Sequence, residues 1–197
     1  MSQRAYLKIP RDRIGVLIGP SGRAKKRIEN FFKVTLVIDS DSGSVEIIVN
    51  PDAPDVTVIF TVKNIVKAIG RGFSPKRAEI LSQEDFDLNL IDLRDYVGDS
   101  KNALGRIKGR IIGKSGKSRS MIEELTECRI SVYGYSVTIL GHVENLGVAR
   151  DAILMLVKGS FHKTVWNFLY AYRRKMKKDR GELWYETPGP KAELRKR

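Results

Sequence analysis

Two four-residue segments hold the groups best suited to chemistry in this chain: Gly19-Pro20-Ser21-Gly22 and Gly113-Lys114-Ser115-Gly116. Cations follow each, Arg23, Lys25 and Lys26 after the first, Lys117 and Arg119 after the second. Glycine accepts the backbone of a tight turn and has no Cβ to hold a ligand at a distance. A helix beginning just after such a turn presents unpaired N–H groups and the positive end of its dipole. The chemistry implied is phosphate binding, with no means of telling bases apart. Pro20 stands where the second segment has Lys114, so the first loop carries one charge fewer.

Covalent chemistry is harder to find. The run Gly113–Ser118 looks like a nucleotide-binding P-loop, which needs a glycine five positions before its Gly-Lys-Ser/Thr. Lys108 and Ile111 stand at the two candidate positions, so nucleotide hydrolysis is not expected. His142, His162 and Cys128 have no metal-ligand spacing, and Glu123-Glu124, adjacent on a predicted helix, do not face one another as an acid–base pair would. Asp85, Asp87, Asp92, Asp95 and Asp99 form an acidic stretch, but alternate strand residues point to opposite faces. No catalytic residue, metal or cofactor is expected.

The elements that position the loops come in two copies. Residues 14–29 and 108–123 are identical at seven of sixteen positions, at an offset of 94, including Gly15/Gly109, Ile18/Ile112, Ile28/Ile122 and Glu29/Glu123. Each copy opens on a strand-like segment (5–9; 86–93) and a short helical stretch (14–18; 107–112) that runs into the glycine loop. A basic amphipathic helix follows (23–32; 117–127), with Ile28 and Phe31/Phe32, or Met121, Ile122 and Leu125, facing inward. Two strands (34–38 and 45–49; 129–133 and 136–140) and a closing helix (55–69; 143–157) complete each copy. Ser74-Pro75 then predicts a short linker helix, with the Ser74 hydroxyl capping it and Phe73 and Leu81 packed between the units.

Residues 163–180 form a further predicted helix with an apolar stripe of Val165, Phe168/Leu169, Tyr172 and Met176. Arg173, Arg174, Lys175, Lys177 and Lys178 crowd its end, either as solvated cations on a helix docked to the second unit or as one more contact for rRNA or an acidic partner. Trp166, Trp184 and Tyr185 suit packing or base stacking, and the stretch at Pro188-Gly189-Pro190 reads as flexible.

Length and charge narrow the class. The 197 residues, 42% hydrophobic, suit one or two compact domains, and the 30% charged content with evenly spread apolar residues argues against disorder. The longest run without Asp, Glu, Lys or Arg is residues 130–143, too short for a membrane span. A first segment, Met-Ser-Gln-Arg-Ala-Tyr, without the apolar core of a signal peptide, and a single cysteine fit a reducing cytoplasm. The formal net charge of +13 falls in blocks: +7 over residues 1–33, −6 over 34–100, +7 over 101–119 and +6 over 163–180. Separate basic blocks read as surfaces for a polyanion.

The order β-α-GxxG-α-β-β-α, twice, resembles the KH domain with its two extra elements at the C-terminal end. The expected fold is α+β: two tandem KH domains, each a three-stranded sheet packed on helices, over residues 1–73 and 84–162, joined by a helical linker at 74–83 and followed by a basic C-terminal helix and tail at 163–197. In that family the loop clamps about four nucleotides of a single strand against an apolar groove. Carried over, the groove uses Ile14, Leu17 and Ile18 with the Leu36 strand in the first copy, and Arg110, Ile111 and Ile112 with Ile130 in the second. The runs from Ala68 to Pro75, Gly109 to Lys114 and Ile130 to Gly134 narrow the match. The chain resembles the archaeal form of the partner-of-Nob (Dim-two) family of ribosome-assembly proteins. That resemblance implies binding to single-stranded RNA near the 3′ end of small-subunit rRNA, cooperation with the endonuclease that matures this end, and a link to the alpha subunit of translation initiation factor two. Two other readings stay open on the residues alone: a less specific RNA binder in mRNA control or decay, and a protein scaffold meeting acidic translation factors.

Overall fold

The computed structural model describes residues 3–184 apart from 54 and 56, with residues 180–184 described by backbone alone. The first unit runs β1 (Arg4–Lys8), α1 (Arg11–Ile18), a 3-10 turn (Pro20–Gly22), α2 (Arg23–Phe32), β2 (Val34–Ile38), β3 (Ser44–Val49) and α3 (Val58–Gly70). A linker of α4 (Pro75–Ala78) and a 3-10 turn (Glu79–Ser82) leads to the second unit. That unit runs β4 (Phe86–Asp92), α5 (Arg94–Val97), α6 (Lys101–Ile112), a 3-10 turn (Lys114–Gly116), α7 (Lys117–Thr126), β5 (Arg129–Tyr133), β6 (Ser136–His142) and α8 (Val143–Val157). Helix α9 (His162–Trp184) follows.

Each unit is an antiparallel three-stranded sheet with its third strand in the middle, ordered β1-β3-β2 and β4-β6-β5. Period-two patterning sets which face is covered: Val34 and Leu36 of β2 are buried while Thr35 and Val37 face out, and Leu36 lies opposite Ile47. Helices supply the other wall, with Leu17, Ile28, Ile65 and Ile69 closing the first core and Ile111, Ile122 and Ile153 the second. Val165 and Leu169 of α9 belong to the second core. Each such side chain contributes about 1.5–3 kcal/mol by leaving water.

Strand β6 breaks the alternation, because its first six residues are all buried. Val137 and Ile139 face their own helices, whereas Leu140, with Leu88, packs into the first unit's core. The second sheet is therefore covered on both sides, by its own helices and by the first unit. Phe73 and Leu81 lie buried in that joint core. Polar contacts complete the seam: Ser131 Oγ donates to the Arg71 carbonyl at 2.8 Å and Asn64 Nδ2 to Asp87 at 3.1 Å. The Tyr133 hydroxyl donates to Asp12, while the Arg13 guanidinium lies 5.7 Å from the Tyr133 ring centre. Burial first, then the Asp12 carboxylate, raises the Tyr133 phenol pKa.

Three local expectations need correction. Ser74 does not cap α4 with its side chain: its carbonyl accepts from Arg77 and Ala78 instead. Phe31 is 70% exposed, because α2 turns Ile28 and Phe32 to the core and leaves Phe31 edge-on to Phe32 at 4.8 Å. Helix α6 begins at Lys101, since Ser100 Oγ accepts from Ala103 N and caps it, and Leu104, Ile107 and Ile111 then hold one buried stripe.

Candidate nucleic-acid interface

The two glycine loops fold alike. Gly19 has φ 70 and ψ 173 and Gly113 φ 71 and ψ 175; Ser21 and Ser115 sit at φ 53 and 54, both with ψ 28. Gly22 and Gly116, at φ 74 and 77, open the following helix in the left-handed region. The two glycines of each loop serve different ends. A Cβ on Gly19 would lie 2.8 Å from Ala24 Cβ, and one on Gly113 2.6 Å from Ser118 Cβ, so the first glycine lets the chain turn back onto its own helix. A Cβ on Gly22 or Gly116 would meet nothing within 4 Å, so the second faces open space. No side chain caps the N-terminus of α2 or α7 among the described residues. An uncapped, cation-flanked helix start at an open glycine is suited to an anion.

The helix leading into each loop adds an open seam. Gly15 and Gly109 are exposed helical glycines where an added Cβ would meet nothing within 4 Å, and Ile18 and Ile112, half-buried, stand one turn further on. Interior helical glycine costs about 1 kcal/mol relative to alanine, with no packing reason here to offset it. Sequence reasoning noted the Gly15/Gly109 identity without placing it at the site; the shared position was the signal.

The repeated glutamate has a clear task. Glu29 Oε1 accepts from Leu36 N at 2.8 Å, and Glu123 Oε1 accepts from Ile130 N at 2.7 Å. Each ties the loop-bearing helix to the edge strand opposite and fixes the width between them. Lys25 and Arg119 lie 3.8 and 4.0 Å from these glutamates, leaving Arg23, Lys26, Lys114 and Lys117 as the exposed cations around the loops.

Several expected groove residues do not line a surface. Ile14, Leu17 and Ile111 are buried, as are Leu36 and Ile130, so they support the groove from beneath; Ile18 and Ile112 retain apolar surface. Arg110 is also corrected. Its Nε donates to the Leu156 carbonyl at 3.3 Å and its Nη2 to the Ser160 carbonyl at 2.6 Å, at the end of α8. Arg13 does the same for the first unit, donating to the Ile69 and Phe73 carbonyls at 2.9 and 2.7 Å. Cations that satisfy the last carbonyls of a helix are structural there.

Helix α9 runs beside α7. His162 Nε2 is 3.0 Å from the Arg110 carbonyl, the Tyr170 hydroxyl reaches Met121 Sδ at 3.8 Å, and Arg173 Nη1 donates to the Glu124 carbonyl at 2.6 Å. Trp166 packs near His162, ring centres 5.8 Å apart. The Trp184 side chain, Tyr185 and the Pro188-Gly189-Pro190 stretch lie outside the described residues. Among the described residues, no group of three or more His, Cys, Asp or Glu side chains could hold a metal ion, and no helix is long and apolar enough to cross a membrane. Cys128 is buried under β6, and its thiol is pushed up to about 11, chiefly by that burial.

Comparison with known proteins follows the same division. Residues 4–70 match a family model described as a KH domain, and residues 87–174 one described as a eukaryotic type KH-domain (KH-domain type I). A KH domain-containing protein of Methanocaldococcus jannaschii is 46% identical over 178 residues, covering 90% of this chain and 78% of that one. The pre-rRNA-processing protein PNO1 of Chaetomium thermophilum is 41% identical over 101 residues, 51% of this chain and 38% of that longer protein. Among solved structures, the a/eIF2alpha-aDim2p-rRNA complex of Pyrococcus horikoshii contains a similar chain, with a TM-score of 0.84 and 41% identity over 88% of this chain and 96% of that one.

Proposed function

The chain belongs to the PNO1/Dim2 family of KH-domain proteins, and from that premise we propose that it binds single-stranded rRNA through both glycine loops, as a non-catalytic factor in small-subunit maturation. The observation that carries this reading is the pair of congruent loops, each placing an open glycine and exposed cations at an uncapped helix start. The relatives supply the RNA class: one is a pre-rRNA-processing protein, and another forms a complex with rRNA.

In this reading a phosphate sits against Gly22 or Gly116, where the helix dipole and Arg23, Lys26, Lys114 or Lys117 offset its charge. The neighbouring backbone passes the seam of Gly15 and Ile18, or Gly109 and Ile112, where missing side chains permit close approach. Bases turn toward the edge strand that Glu29 or Glu123 holds at a fixed distance. The RNA is the 3′ end of small-subunit rRNA, presented to a separate maturation endonuclease in the cytoplasm. The alpha subunit of initiation factor two is the protein partner, by analogy with the archaeal complex.

The test is binding of a small-subunit rRNA 3′-end oligonucleotide and a scrambled control at several salt concentrations. Wild type should prefer the rRNA sequence, with log–log salt slope near −0.7 per neutralised phosphate. Pro20→Asp/Ser21→Asp and Lys114→Asp/Ser115→Asp should each weaken it. Equal binding of both RNAs, unchanged in both variants, would overturn the clamp.

A further inference from the structure

We propose that the groove between α7 and α9 is a second contact for the same RNA strand, a nucleotide seat downstream of the second glycine loop. The inference rests on the RNA-binding reading above and extends it to a surface that reading does not use.

The groove has a volume of about 470 Å³ and is lined by Leu125, Asn167, Tyr170, Arg173, Arg174 and Lys177. That size falls in the range of clefts that hold small ligands. Its composition is what an unpaired nucleotide needs: an aromatic ring, an amide and several cations. Tyr170 is 44% exposed and its hydroxyl lies 3.8 Å from Met121 Sδ, so the ring stands at the surface beside α7. Arg173 is occupied, donating to the Glu124 carbonyl and lying 3.9 Å from Glu127, so it builds the wall and offsets the nearest acid. Glu124 on α7 and Asp179, two residues beyond Lys177 on α9, are exposed acidic residues. Arg174 and Lys177 are exposed.

Position makes this a continuation of the clamp. Tyr170 meets Met121 and Arg173 meets Glu124, so α9 runs in the same direction as α7, away from the glycine loop. Lys117 starts α7 and Leu125 lines the groove, a separation of about 12 Å along a helix rising 1.5 Å per residue. A strand leaving the loop reaches the groove within a few nucleotides. Cations at both ends of this path and a ring in the groove favour RNA over an acidic protein segment, for which the ring has no charge to match.

The test uses the full chain, with mixed-sequence single-stranded RNAs of 6 and 14 nucleotides, in fluorescence anisotropy at several salt concentrations. Wild type should bind the longer RNA more tightly. Tyr170→Ala and Arg174→Gln/Lys177→Gln should each remove about tenfold of that advantage and leave the 6-mer unchanged; the cation pair should also lower the salt slope by about 1.4 for the 14-mer only. Tyr170→Phe, which keeps the ring, should bind both RNAs as wild type does. Variants that bind both lengths like wild type overturn the seat, as does a loss confined to an oligoglutamate probe, which would make the groove a protein surface. Pro20→Asp/Ser21→Asp combined with Lys114→Asp/Ser115→Asp serves as the separate control: if the four substitutions together leave the 6-mer unaffected, the loop reading fails, whatever the groove variants show.

Discussion

The two glycines of the second loop should respond to the same substitution in opposite ways. Alanine at Gly113 meets φ +71 and places Cβ 2.6 Å from Ser118 Cβ and 2.8 Å from Ser118 N, atoms of a helix start that cannot step aside. Left-handed backbone costs a non-glycine residue about 1–2 kcal/mol, and forcing an added methyl into packed structure about 1–3 more. Alanine at Gly116 meets φ +77 but open space, so it bears only the first cost. Urea denaturation should therefore place Gly113→Ala about 1–3 kcal/mol below Gly116→Ala in stability. RNA binding should reverse the order of interest: under conditions where both variants are folded, Gly116→Ala should lose affinity, because its methyl stands where a phosphate approaches. Equal destabilisation of the two variants would refute the division of roles, and so would wild-type RNA binding by Gly116→Ala.

Three further predictions follow from the same structure. Gly72, at φ +102, would place a Cβ 2.5 Å from Ser131 Oγ and 3.1 Å from Tyr133 Cβ, so Gly72→Ala should cost roughly 2–5 kcal/mol and lower Tm by several degrees; a melting curve checks it. Arg110→Lys should lower stability by about 1–3 kcal/mol in denaturant, through the lost pair of bonds to the α8 end, and leave the RNA salt slope unchanged, since that guanidinium faces carbonyls rather than ligand. The Cys128 thiol, raised to about 11 when folded, binds its proton more tightly than in the unfolded chain; its contribution to stability is present in full below the ordinary thiol range and is lost as pH rises toward about 11. Native protein should resist a thiol reagent at pH 8 and react on unfolding, and Cys128→Ala should show a flatter loss of stability above pH 9.

The repeat, the loops and the order of elements along the chain were legible because each rests on local signals: glycine pairs, short apolar periods and a duplicated register. Helices α2 and α8 and strands β2 and β5 begin and end where their patterns do. What escaped depends on partners distant in sequence. Arg13 and Arg110 perform one task from positions that the repeat does not align, since Val16 stands opposite Arg110 at the offset of 94. Glu29 and Glu123 were visible as identities, but their reason is a strand N–H seven residues on, which only the folded unit brings near. The buried outer face of β6 follows from the first unit lying against it, and no pattern within the strand announces a neighbour. The same holds for Ile14, Leu17 and Ile111: an apolar residue beside a loop looks alike whether it lines a groove or lies beneath it.

The central claim is that both loops hold RNA, and crosslinking tests it most directly. A small-subunit rRNA 3′-end fragment carrying photoreactive bases, bound to the full chain and irradiated, would be located on the protein by mass spectrometry of the joined peptides. Crosslinks should fall at residues 15–26 and 109–119, the loops with their flanking helix ends. Crosslinks confined to the outer face of the first sheet, around Tyr6 and Val37, would contradict the account.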